Sequence, residues 1–162
     1  AWLKLRSLND GHILPALYLN FFSDVYVLLS DREDSHDIKN NCTSLQQKDR
    51  NGHIHKIKFY QDPQKLLDSL PKESPVFLDL DLDYFTREHT ESEGIFGSES
   101  LLPDSEIRSF LSPYGPFLRP LLNRIVGMTI ALEPEYCGGL ANSFHVLNIL
   151  NQEISENNKL KL

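Results

Sequence analysis

Apolar strands alternating with helix-like segments predict an α/β domain with a mostly parallel sheet flanked by helices. Three observations carry that expectation. Residues 24–29 (DVYVLL) and 126–132 (VGMTIAL) are short buried-strand runs, and residues 76–83 (VFLDLDLD) form a third. Apolar side chains at helical spacing lie between and after them, most clearly Leu140, Phe144, Leu147, Leu150 and Ile154. No internal repeat or linker divides the chain, so residues 1–156 are expected to form one domain and 157–162 a frayed polar tail.

The elements follow in order. Asn9-Asp10 is a cap signal for a helix from Ile13 to Phe22, and Pro15 falls in its tolerant first turn. Its apolar residues point in several directions, which predicts a well-buried helix. After the strand at 24–29, residues 31–51 read as polar and irregular. Asn51-Gly52 then marks a hairpin turn into an alternating strand, Lys56-Ile57-Lys58-Phe59. His53 and His55 flank that turn on an expected wet face. Asp62-Pro63 starts a short helix to Leu70. Residues 84–102 read as one long loop, a common place for function. Helices are expected from Pro103 to Leu111 and from Pro116 to about Ile125, the second perturbed at Pro120. The last helix should run from Leu140 to about Glu156.

Composition narrows the function classes. The 162 residues are 40% hydrophobic, enough for a packed core. Sixteen Lys and Arg against 23 Asp and Glu give a net charge of −7, opposite to the basic stripe of a general nucleic-acid binder. No apolar run approaches the roughly 20 residues of a membrane span. The start carries no signal-peptide pattern, so a cytoplasmic location is the default expectation. Cys42 and Cys137 are too few and too far apart for a disulfide framework or zinc knuckle.

The chemistry concentrates in FLDLDLDYF, Phe77 to Phe85. On a strand, Asp79, Asp81 and Asp83 share one face and Leu78, Leu80 and Leu82 the other. Three carboxylates on one face repel, unless their pKa values rise or a cation compensates them. A solvated strand face would produce the same alternation. Against it, Asp is a poor strand residue, and Val76, Phe77, Tyr84 and Phe85 suggest burial on both sides. A divalent ion held by oxygen ligands resolves the conflict. In open α/β sheets, ligands gather at the carboxyl ends of strands. Asp81 and Asp83 lie at one such end and Glu133 at another, although a Glu after a strand is also an ordinary loop charge.

FLDLDLDYF resembles the second metal motif of the arginase superfamily, and is closest to an arginase-related family that includes the bacterial peptide arginases. TIALEPEYCGG (Thr129–Gly139) and NDGHILPALYLNFF (Asn9–Phe22) are similar to that family's substrate-facing loop and its proline-containing helix. The resemblance implies a partial arginase-like three-layer fold and a dinuclear Mn2+ site. Asp79 would bridge the two ions, Asp81 would bind one, and Asp83 completes the motif. It also implies water attack on the guanidinium carbon of arginine, giving urea and ornithine. Glu133 and Glu135 would face an arginine-containing peptide or small guanidino substrate, and His12 would occupy the place of a proton-shuttling histidine. The superfamily also needs an earlier Asp-x-His-x-Asp strand, expected upstream of Asn9, so the domain is expected to be incomplete at its N-terminus. Asp34-Ser35-His36-Asp37 has suitable residue types in the wrong order and reads as a solvated loop.

Other readings stay open. A catalytically incomplete domain of this kind would bind arginine-rich peptides or a partner without hydrolysing them. A haloacid-dehalogenase-like phosphatase also uses Asp-x-Asp, but it needs a later acidic pair, and Asp104 is the only aspartate after Asp83. A nucleotide-sugar transferase lacks any accompanying signature here. His145 reads as packing or surface, His89 as a loop residue, Cys137 as no nucleophile, and Gly138-Gly139 as a tight turn.

Overall fold

The computed structural model describes residues 13–30, 44–88 and 99–154. The expected cap at Asn9-Asp10, His12, the 34–37 run, Cys42, His89 and the tail lie outside the described residues.

Helix α1 (Ile13–Tyr18) leads to strand β1 (Val25–Leu28), and the hairpin strands β2 (Ser44–Lys48) and β3 (Ile54–Tyr60) follow. Next come α2 (Pro63–Ser69), β4 (Val76–Asp81) and a 3-10 turn (Leu82–Phe85). The short strands β5 (Thr86–Glu88) and β6 (Glu99–Leu101) precede α3 (Asp104–Leu111), β7 (Ile125–Ala131) and α4 (Leu140–Ile154).

The architecture is mixed α/β, but the mostly parallel single sheet is not what the described residues form. There are three small sheets, β1-β3-β2, β4-β7 and β5-β6. β1 pairs with β3, and β4 with β7, in parallel; β2–β3 and β5–β6 are antiparallel. Hairpins account for the difference. Asn51-Gly52 folds β2 onto β3, with Gly52 at φ 91°, where only glycine is comfortable. The partner thus draws Ser44–Lys48 into a strand despite its weak pattern. Part of the expected 84–102 loop likewise becomes β5 and β6.

Four local expectations are corrected. The first helix stops at Tyr18 rather than Phe22. Asn20 takes a left-handed φ of 61°, its amide donates to Leu17 O, and the Phe21 amide donates to Ala16 O. This is a Schellman stop with asparagine in the glycine position. Only Leu17 of that helix is buried, and Phe21 is 71% exposed. The segment after Pro116 is a chain of turns, because Pro120 has no N–H to donate and its ring disrupts a regular helix. The final helix keeps Leu147, Leu150 and Ile154 of the expected face on the core but departs from it in its first turns. Ser143, Val146, Ile149, Leu150 and Ile154 are buried, whereas Leu140 and Phe144 are exposed. His55, expected on a wet face, is buried beside Ile57. By contrast, Asp62 caps α2 as its sequence indicates, accepting from the Gln64 and Lys65 amides.

The main core lies under the Leu78–Leu80 face of β4. Leu80, Leu82 and Phe85 meet Ile107 and Leu111 of α3, and Val146, Ile149 and Leu150 of α4. A smaller cluster of Leu66, Phe117 and Leu121 joins α2 and the turns to β1 and β3. Phe110 packs against both clusters, stacking on Phe117 at 4.3 Å and meeting Phe85 edge-on at 5.6 Å.

Leu82 is fully buried at the point where β4 gives way to the 3-10 turn. Leu82→Ala should cost about 2–5 kcal/mol, measured by urea unfolding. A loss below the ordinary surface range of about 0.5 kcal/mol would show that this residue does not anchor the turn.

Candidate functional site

β4 and β7 run parallel, with Asp79 opposite Thr129 and Asp81 opposite Ala131. Their carboxyl ends therefore reach the same edge. β4 leaves its strand conformation after Asp81, and the 3-10 turn carries Asp83 back over that edge. Asp83 is thus delivered by a turn, not by the strand face expected for it. Beyond β7, Glu133 stands at φ 42°, a left-handed conformation uncommon for residues other than glycine. Its carbonyl accepts the Tyr136 and Cys137 amides, each at 3.0 Å. The chain curls over the strand end and leaves through Gly138 and Gly139, both at positive φ.

These two routes bring Asp81, Asp83 and Glu133 together. One carboxylate oxygen from each lies within 4.8 Å of the others, and all three side chains are half-buried. Burial pushes the Asp81 carboxyl up, and the neighbouring Asp83 and Glu133 charges push it further, to about 7. The expected conflict among carboxylates is therefore present, but in a different trio.

Asp79 lies outside that group. It is exposed, and its carboxylate accepts a hydrogen bond from the Thr129 hydroxyl across the strand pair. Phe77 is also exposed (43%), with the Phe22 ring 5.5 Å away, so the aspartate face of β4 is partly covered rather than buried on both sides. Glu135 is exposed in the turn after Glu133 and does not join the group. His145 sits on the surface 2.8 Å from Asp104. Cys137 is buried, with its thiol donating to Leu132 O at 3.3 Å.

The sequence offered no sign of Thr86. It is buried at the end of the 3-10 turn, and its hydroxyl lies 2.7 Å from Asp83 O and 3.2 Å from Tyr136 O. One side chain therefore ties the turn bearing Asp83 to the turn bearing Glu133. Threonine after an aromatic pair has no distinctive spacing, so only the folded contact reveals the link. Thr129 was legible in principle, since the β4–β7 register sets it opposite Asp79.

Compared with known proteins, the chain matches no protein-family model, no curated protein and no solved structure. Its site is therefore interpreted through its own chemistry. Carboxylate oxygens suit a hard divalent cation or a guanidinium group. No helix among the described residues is long and apolar enough to cross a membrane.

Two predictions follow from this geometry. Thr86→Val removes a buried hydroxyl while keeping the shape, and should cost about 1–3 kcal/mol in urea unfolding. An unchanged midpoint would mean that the bridge contributes nothing. The second concerns pH. A carboxyl whose folded pKa is about 7, against an ordinary 3.8, favours the folded state when protonated. That contribution is complete below 3.8 and disappears as pH rises through 7. In chelator, the wild-type Tm should fall relative to that of Asp81→Asn as pH goes from 4 to 8. Parallel Tm curves would rule out the raised pKa.

Proposed function

We propose that this chain is a metal-dependent hydrolase of the kind its sequence resembles, converting arginine side chains to ornithine with release of urea. The observation that supports this reading is the convergence of Asp81, Asp83 and Glu133 at the carboxyl ends of two adjacent parallel strands. Three carboxylates fit a hard cation such as Mn2+, which would also offset the repulsion that raises Asp81. Asp81 and Asp83 are the residues that would hold it, in place of the Asp79–Asp81 pair that motif matching suggested. When bound, a divalent cation supplies Lewis acidity and lowers the pKa of water.

The chain's own groups have separate tasks in this reaction. Glu133 is held by a strained backbone and by the amides on its carbonyl, and its carboxylate matches the planar guanidinium fork. Asp79, oriented by Thr129, lines the open side of the strand pair and adds negative charge along the approach. The oxygen of water ends on urea. The bond from the guanidinium carbon to the side-chain nitrogen breaks, and that nitrogen leaves with a proton as the ornithine amine. Because the aspartate face is only partly covered, an extended peptide has room to approach.

One observation favours a second reading, a binding module for arginine-rich peptides. Among the described residues only Phe22 packs on Phe77, and Asp79 is exposed, so that side of the site meets water, whereas hydrolytic sites commonly exclude bulk solvent.

Urea release from an arginine-containing peptide with added Mn2+ separates the two. The hydrolase reading predicts turnover that falls by about 100-fold or more in Asp81→Asn and Glu133→Gln. Peptide binding without urea, weakened by the same substitutions, would support the binding module instead.

A further inference from the structure

The β2–β3 hairpin holds a second set of donor atoms, independent of the acidic group. Asp49 closes this hairpin with a fully buried side chain. Its Oδ1 accepts the Asn51 and His53 amides, each at 2.8 Å. Its Oδ2 lies 3.1 Å from His53 Nδ1 and 3.5 Å from His55 Nε2. His55 is only 5% exposed.

The protonation of His55 follows from its neighbours. Nδ1 is hydrogen-bonded to the Ser23 carbonyl, which can only accept, so Nδ1 carries a proton. Nε2 has no hydrogen-bond partner and is the one such buried side-chain atom among the described residues. In a neutral ring, Nε2 would present a lone pair to the Asp49 carboxylate, leaving two acceptors face to face away from water. Either a second ring proton or a bound cation relieves this.

The spacing accommodates a cation. A charge-assisted N–H···O bond is typically about 2.7–2.9 Å, well short of the 3.5 Å observed. Two ligand atoms of a tetrahedral ion, with bonds of about 2.0–2.1 Å, stand about 3.3–3.4 Å apart. A ring N–H given to a backbone carbonyl is also the usual outer support of a metal-ligating histidine.

We propose that Asp49 Oδ2, His55 Nε2 and His53 Nδ1 form a binding site for a zinc-class divalent transition metal, stapling the β2–β3 hairpin to the backbone at Ser23. Two imidazoles and one carboxylate suit such an ion better than Mg2+ or Ca2+. Asp81, Asp83 and Glu133 are the only described trio with every donor within 4.8 Å. The three hairpin donors are therefore not all within that spacing as they stand, and binding requires the His53 ring, 68% exposed, to turn toward His55.

Zinc titration calorimetry of the whole chain tests the site, with His53→Ala, His55→Gln and Asp81→Asn as comparisons. The expected result is a zinc site that persists in Asp81→Asn, beside any zinc held by the acidic group, and a zinc-dependent rise in Tm. The affinity of that persisting site should fall at least about tenfold in both histidine variants. His53 is on the surface, so its replacement tests ligation without disturbing the core. Unchanged affinity in either histidine variant, or loss in Asp81→Asn, overturns the proposal. So does nitrogen NMR showing protons on both ring nitrogens of His55 in zinc-saturated protein.

Discussion

Parallel pairing of β4 with β7 is the constraint on which the candidate site depends. The two strands are about 50 residues apart in the chain, yet their register sets Asp81 beside Ala131, two residues before Glu133. Only a parallel pair brings both carboxyl ends to one edge. An antiparallel pair would send Glu133 to the far end of Asp81's strand. Packing enforces the arrangement from below, where α3 and α4 cover Leu80 and Leu82. A shift of one residue in β4 would turn its leucines outward and its aspartates into that apolar layer.

The chain then concentrates negative charge at that edge. Strand geometry alone would spread three aspartates along β4, about 6.6 Å between alternate residues. The 3-10 turn shortens the spacing and turns Asp83 back, while the left-handed Glu133 bends the other strand end toward it. Thr86 ties both turns together. The local backbone strain and the carboxylate repulsion are both held by the buried layer beneath. A cation or a guanidinium group would relieve the electrostatic part, since each brings positive charge to oxygen acceptors. The hairpin at Asp49 uses a different donor set, and its histidines suit softer ions.

Several elements were legible because their signals are local. Asp62-Pro63 starts α2 by supplying a cap acceptor and a residue already at helical φ. Asn51-Gly52 makes its turn because glycine bears the positive φ. The apolar strands β4 and β7 were visible as runs, and their shared edge was inferable from the strand-end rule for α/β sheets. Asp81, Asp83 and Glu133 are accordingly among the candidates that the sequence alone indicates. What failed was the geometry between elements. Asp79 follows the same alternation as Asp81, yet it bonds to Thr129 on the open face. His55 reads as wet because it flanks the turn, although alternation puts it on the face of Ile57, and the Ser23 carbonyl and the Asp49 carboxylate enclose it.

By itself, then, the sequence determined the α/β character, the Asp62 cap, the glycine turns at Gly52 and Gly138-Gly139, and the supply of carboxylates at strand ends, because these rest on propensities and periods within a few residues. Tertiary structure decided which carboxylates meet, which face of the last helix is buried at its start, and that the described strands divide into three small sheets. Those outcomes depend on register, helix-face choice and partner strands distant in the chain, and no local pattern encodes them. Asp83 and Glu133 show both sides of this division. Their residue types were plain in the sequence, but their meeting with Asp81 needed a folded turn, a left-handed backbone and a buried threonine between them.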